Sequence, residues 1–192
     1  MTGVVLCGGQ STRMGTDKGL LEKGNLTWAE IAFRKLASLK IPVIVSVNKS
    51  QVDAYSKIFS SGELIVDDES IPVKGPLLGL LSAHKNYCKE DLLVLACDMI
   101  EINQVLLNNL VDAYNKAFFD VYVFVTGTKL QPLFGIYTSK GLKKIDDLMK
   151  QQQLEKFSMM HVLESLNTKC IEVAEPSFHL FNNYNSEEDL KK

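Results

Sequence analysis

The sequence predicts an α/β protein: a three-layer α/β/α sandwich on a mostly parallel, twisted sheet with a mixed, partly antiparallel end. Short β-branched apolar runs alternate with segments of helical spacing along the chain. The runs GVVLC, IPVIVSVN and DLLVLACD are almost unbroken in apolar character, as strands covered on both faces must be. Single helical segments between strands imply right-handed βαβ crossovers and hence parallel pairing. The 192 residues carry no repeat, linker or break in composition, so residues 1–192 are read as one domain.

GVVLC (3–7) is the first strand. In TWAEIAFRKLASL (27–39), Trp28, Ile31, Ala32, Leu36 and Leu39 recur at helical spacing, with Thr27 as the cap. IPVIVSVN (41–48) is the second strand, with Pro42 near its start, and QVDAYSKIF (51–59) a helix. ELIVD (63–67) is the third strand. GPLLGLLSAHKNY (75–87) is a helix with Pro76 at its first position, where a missing N–H costs nothing. DLLVLACD (91–98) is the fourth strand, apolar until Asp98, and NQVLLNNLVDAYNKA (103–117) a helix. DVYVFV (120–125) and PLFGIYT (132–138) are less regular strands, the reason for expecting a mixed end. SKGLKKIDDLMKQQQ (139–153) is an amphipathic helix, solvated on one side and laced with i,i+4 charge pairs.

A net charge of −2 excludes a general nucleic-acid surface, because phosphate neutralisation needs a cationic face. Cys7, Cys88, Cys97 and Cys170 form no C-x-x-C pair, and three lie in apolar runs, so they read as buried reduced thiols. No signal peptide precedes the first strand, and no apolar run approaches the ~20 residues of a membrane span. The expectation is a soluble, cytoplasmic protein with neither nucleic acid nor membrane as partner.

In open α/β sheets, ligands collect at the carboxyl ends of the strands. There the sequence puts Gly8, Gly9 and the loop to Lys18, then Asn48, Asp68 and Asp98. Glycines directly after a strand let backbone N–H groups approach phosphate oxygens without intervening side chains. Arg13 can fork onto two oxygens and Lys18 acts as a mobile point charge, with Asp17 beside them and Gly15 allowing a second tight turn. The loop is neither a P-loop, since no G-K-[ST] follows, nor a G-x-G-x-x-G fingerprint. It suits a bound polyphosphate.

LCGGQSTRMGTDKGLL resembles the G-G-x-S-x-R-M-G-x-D-K signature of nucleotidyltransferases with a GT-A-like, Rossmann-related fold, and most closely the molybdenum cofactor guanylyltransferases of the MobA family. GPLLGLLSA, LACD, QPLFGIY and FNNYNSEEDL resemble that family's G-P-L-x-G, P-C-D, Q-P-L and N-x-N-T-P-E-D-L segments, in the same order from residue 3 to residue 190. The resemblance implies transfer of GMP from GTP to the terminal phosphate of molybdenum-molybdopterin, with release of pyrophosphate. It implies Arg13, Lys18 and Asp98 as catalytic groups, and Asp98 as a ligand of Mg²⁺, a hard cation that takes one or two carboxylates plus phosphates and waters. The nucleotide and cofactor contacts it implies are Leu6, Cys7, Gly8, Gly9, Lys18, Ser46, Asp68, Asp98, Asn183 and Asn185. Other cofactor-biosynthesis proteins or the recipient molybdoenzyme are the partner proteins it admits.

Several residues depart from the family pattern or keep a plainer reading. Ser46 stands where the family has a nucleotide-contacting asparagine and lacks an amide's paired donor and acceptor, so Asn48 at the strand's end is the substitute candidate. Asp68, rather than Asp67, aligns with the family's aspartate. Ala96 replaces the proline of P-C-D, and Glu187 that of N-T-P-E-D-L. Asp98 could also cap the following segment, and Asn183 and Asn185 the last helix. His84, His161 and His179 share no catalytic or metal-ligand spacing, although His161 and Ser158 lie where the family approaches its pterin. Phe118, Phe119, Tyr122 and Phe124 read as core. A related cytidylyltransferase, or a non-catalytic nucleotide-binding adaptor in cofactor delivery, is compatible with the same motifs.

Overall fold

A computed structural model describes residues 1–8, 17–154 and 156–184. β1 (Thr2–Leu6) is followed by a two-residue-strand hairpin, β2 (Glu22–Lys23) and β3 (Leu26–Thr27). Then come α1 (Trp28–Ala37), β4 (Val43–Val47), α2 (Val52–Tyr55), β5 (Leu64–Val66), α3 (Pro76–Asn86), β6 (Leu92–Ala96) and α4 (Gln104–Lys116). The chain continues through β7 (Val121–Thr126), β8 (Lys129–Tyr137), α5 (Ser139–Lys150), α6 (Met159–Glu164) and β9 (Thr168–Glu172).

The main sheet has seven strands in the order β5-β4-β1-β6-β8-β7-β9. β5, β4, β1 and β6 are parallel, β8 runs antiparallel to both β6 and β7, and β9 pairs parallel with β7. Side chains alternate between two cores. Val5, Leu93 and Leu95 join α1, α2 and α4 on one face, whereas Val4, Leu92 and Val94 join α3, α5 and α6 on the other. The expected three layers and mixed end are both present, and among the described residues no helix is long and apolar enough to cross a membrane.

Thr27 caps α1 as expected: its hydroxyl accepts from Glu30 N–H at 3.2 Å, and Glu30 Oε2 accepts from Thr27 N–H at 2.9 Å. That reciprocal pair sets the fully buried Trp28 at the first helical position. Other boundaries differ from expectation for identifiable reasons. The 51–59 segment holds only a short α2, because residues 49–51 wind more tightly as a 3₁₀ turn capped by Asn48. α5 stops at Lys150; Gln152 then takes a left-handed φ of 55° and the chain turns back to bury Leu154. β8 begins earlier than expected, at Lys129, and Pro132 lies where the pairing with β7 slips between Val123 and Phe124, so its missing N–H breaks no regular ladder.

The hairpin, α6 and β9 were not anticipated. β9 is a mainly exposed edge strand with little apolar content to signal it. Only two of the cysteines are interior: Cys7 and Cys97 are buried, but Cys88 and Cys170 are exposed, and all four are free. Tyr122 and Phe124 are core as expected, whereas Phe118 projects fully into solvent from the α4–β7 connection.

Thr27→Ala removes the hydroxyl half of the capping box and should cost about 1 kcal/mol, the usual scale for an N-cap. Urea denaturation monitored by Trp28 fluorescence checks this; an unshifted midpoint would show that the helix start is held by packing alone.

Candidate active site

The chain passes from β1 to β4 and β5 on one side, then crosses to β6 on the other side of β1. A sheet that reverses direction this way leaves a crevice at the carboxyl end of its first strand. Four segments end there: Gly8 after β1, the residues after β4, Asp67 and Asp68 after β5, and Asp98 after β6.

Lys18 and Asp98 meet across this crevice. Lys18 Nζ lies 3.3 Å from Asp98 Oδ2, although 80 residues separate them in sequence. The Asp98 side chain is only 14% exposed, and its Oδ1 is buried with no hydrogen-bond partner among the described residues. Burial raises the Asp98 pKa, and the Lys18 charge and hydrogen bond only partly oppose this. The peptide carbonyl of Asp98 accepts from Tyr184 N–H at 3.2 Å, and the Tyr184 ring meets Trp28 edge-on.

Asp17 is the anchor that aims Lys18. Its Oδ1 accepts from Gly19 N–H and from the Tyr55 hydroxyl, both at 3.0 Å, and its Oδ2 accepts from Gln51 Nε2 at 2.6 Å. Gln51 also donates to the Cys7 carbonyl at 3.1 Å, so one amide joins the end of β1 to the far end of the loop. Gly19 is a glycine by necessity: a Cβ there would sit 2.1 Å from the Tyr55 hydroxyl oxygen. Sequence reasoning missed Gln51 and Tyr55, which lay in what read as an ordinary helix.

A second carboxylate faces the crevice, and it is Asp67. Only 8% exposed, it accepts from the Ser46 hydroxyl at 2.7 Å through Oδ1. Its Oδ2 lies 2.6 Å from where a Cβ on Gly8 would stand, and a Cβ on Gly79 of α3 would lie 2.6 Å from Ser46 Oγ. Two glycines far apart in sequence thus make room for one Ser–Asp pair. The role of Gly79 was legible only as part of GPLLG.

Asp68, the expected nucleotide contact, leaves the strand in the other direction. Asp68 turns to α3, where Lys85 Nζ donates to Oδ2 at 2.5 Å and Ser70 N–H to Oδ1 at 2.9 Å. The Lys85 hydrogen bond, followed by those from Ser70, holds this carboxyl well below the usual range. Successive residues leaving a strand face opposite sides, so a one-residue choice exchanges the inward carboxylate for the outward one.

The remaining expected residues divide. Leu6 and Cys7 are buried, and their backbone is committed to the sheet: Cys7 N–H and Gly8 N–H both donate to the Ser46 carbonyl, and the Leu6 carbonyl accepts from Cys97 N–H. Asn48 caps the turn after β4, its side-chain oxygen accepting from Ser50 N–H at 2.9 Å. Asn183 is exposed and precedes Tyr184, hence borders the Asp98 turn. Ser158 caps α6, and the His161 ring contacts Glu164. Gly9, Arg13 and Asn185 lie outside the described residues.

A cavity of about 570 Å³ opens at the other end of the sheet, lined by Asp91, Tyr114, Phe119, Asp120 and Lys144 among others. Asp91 precedes β6 whereas Asp98 follows it, so the length of a strand separates this cavity from the crevice. Its polar groups are spent on one another: Asp91 accepts from Tyr114 and Ser139, and Asp120 from Lys144 and Asn167. The strand-end crevice, with its unpartnered Asp98 oxygen, is the better site for chemistry.

Residues 3–167 match the model of the MobA-like NTP transferase domain. A protein of Geobacillus sp. named "probable molybdenum cofactor guanylyltransferase" is 31% identical over 79% of this chain and 77% of its own length. The molybdenum cofactor guanylyltransferase of Pseudomonas paraeruginosa is 30% identical over 89% of this chain and 83% of its own. Molybdopterin-guanine dinucleotide biosynthesis protein A from Archaeoglobus fulgidus shares the fold at a TM-score of 0.76 and 21% identity, covering 100% of this chain and 95% of that one. With Gly8, Lys18 and Asp98 gathered at the sheet's switch point, these likenesses lead to one conclusion: the chain belongs to the MobA-like NTP transferase family and is a MobA-type nucleotidyltransferase.

Proposed function

We propose that the enzyme transfers GMP from GTP to the terminal phosphate of molybdenum-molybdopterin and releases pyrophosphate, in the cytoplasm. The names of its relatives support this choice of substrates. The observation that carries the reading is the 3.3 Å approach of Lys18 to a carboxylate that keeps one buried oxygen without a partner. A structural ion pair would be expected to satisfy both oxygens, because an orphaned buried acceptor costs about 1–3 kcal/mol. Asp98 is thus chemically suited to hold Mg²⁺ through an oxygen ligand. Held there, Mg²⁺ would supply positive charge to offset that of the phosphate oxygens.

The chain's own residues position and neutralise. Lys18, held by Asp17 through the 3₁₀ turn, presents an ammonium to the crevice beside Asp98. The attacking group is already a phosphate anion, so no general base is needed, and preorganised charge carries the rate. The Ser46–Asp67 pair borders the same crevice and offers polar contacts to the nucleoside end. GTP is preferred over the cytidylyltransferase alternative on the relatives' names.

Asp67 carries a cost. Burial raises its carboxyl pKa, with the Ser46 hydrogen bond opposing. The folded state therefore binds the Asp67 proton more tightly than the unfolded chain, and stability is lost as pH rises through the window from the ordinary value upward.

Lys18→Ala and Asp98→Ala should each lower kcat about 10²–10³-fold, the scale for losing one preorganised electrostatic group. Pyrophosphate release with GTP or CTP and the molybdenum-loaded acceptor measures this, and turnover with CTP alone would move the assignment to the cytidylyltransferase. Asp67→Asn stays neutral, so its unfolding midpoint should exceed the wild type's at pH 7 and the gap should close on acidification. Thermal melts across pH check this sign.

A further inference from the structure

We propose that Lys35 is a positioning residue for Asp98, its ammonium holding the 98–102 turn that presents the carboxylate. The inference rests on the reading of Asp98 as the metal-binding group. Lys35 lies in the last turn of α1, where a lysine ordinarily serves its own helix's terminal carbonyls. Here Nζ instead reaches across to the carbonyl oxygens of Ile100 and Ile102, the latter at 2.5 Å, over 65 and 67 residues of sequence.

The turn needs such a donor. Met99, Ile100 and Ile102 are buried, so the backbone beside them is drawn toward the interior, and its carbonyls must find partners there. The other polar groups of the turn are gripped from the same stretch of chain: Lys18 meets Asp98, and Lys23 of β2 binds Glu101 at 2.7 Å. Residues 98–102 are thereby tied at successive points to the segment that follows the glycine loop. A change in the turn would move Asp98 relative to Lys18.

The arrangement has a cost that a purely space-filling residue would avoid. Burial lowers the Lys35 pKa to about 8, with Glu101 raising it and Lys23 lowering it further. Methionine would fill similar space without desolvating a charge, but cannot donate to two carbonyls.

Lys35→Met removes the donors and keeps the stem; Lys35→Arg restores a multiple donor. In the ligand-free protein, amides 98–103 of Lys35→Met should exchange hydrogen at least ~10-fold faster than in wild type, with the central strands unchanged. Mn²⁺ binding in the presence of GTP, followed by electron paramagnetic resonance, should weaken, and kcat should fall about 10–100-fold while KM for GTP stays within about threefold. Lys35→Arg should recover most of each loss. Wild-type exchange in 98–103 together with wild-type kcat in Lys35→Met would overturn the proposal, as would faster exchange spread evenly over the whole sheet. If Lys35→Met does not fold, Lys35→Gln, with one short amide in place of the ammonium, decides by the same measurements. Failure of the wild type to release pyrophosphate from GTP would sink the functional reading instead; the exchange comparison would still decide whether Lys35 holds the turn.

Discussion

A carboxylate taken out of water must be compensated, and the neighbourhood of Asp98 is organised around incomplete compensation. One oxygen has Lys18; the other has no partner among the described residues. An isolated buried charge is expensive enough that proteins avoid it or neutralise it. Keeping Asp98 at the end of β6 therefore requires a stiff frame: a parallel ladder beneath, a cation aimed from Asp17's turn, and a backbone carbonyl tied to Tyr184. That frame leaves one carboxylate oxygen held in place without a partner among the described residues.

The Ser46–Asp67 pair shows the same economy on the other side of β1. Its hydroxyl and carboxylate occupy space that Gly8 and Gly79 leave clear. Neither glycine is explained by backbone conformation alone. Each is explained by what a methyl group would strike, an oxygen in both cases. Polar atoms near the crevice thus displace side-chain volume from β1 and α3 and couple two crossovers through one pair.

Much of this was readable from residue order because it is local or periodic. The β1–α1 start, the Thr27 cap, the parallel strands and the strand-end placement of Asp98 all follow from patterns within a short window. What escaped was non-local or sparse in signal. Gln51 and Tyr55 matter because both donate to the Asp17 carboxylate, far from them in sequence, which no helical spacing reveals. β9 hides because an edge strand needs few apolar residues. Asp67 and Asp68 differ by one step of strand alternation, which turns one to Ser46 and the other to Lys85, and neither partner is near in sequence. Phe118 is the opposite case: its aromatic neighbours in sequence suggest core, yet it sits on the exposed bend between α4 and β7.

Tyr184 touches both Asp98 and Trp28, the first nearly half the polypeptide away and the second most of it. Contacts so distant along the chain close late, after the loops between them have lost their freedom. The pocket's acidic wall consequently acquires its final backbone tie only when segments made early and late in synthesis have docked. Assembly of the turn that carries Asp98 is thereby yoked to docking of a segment far downstream of it.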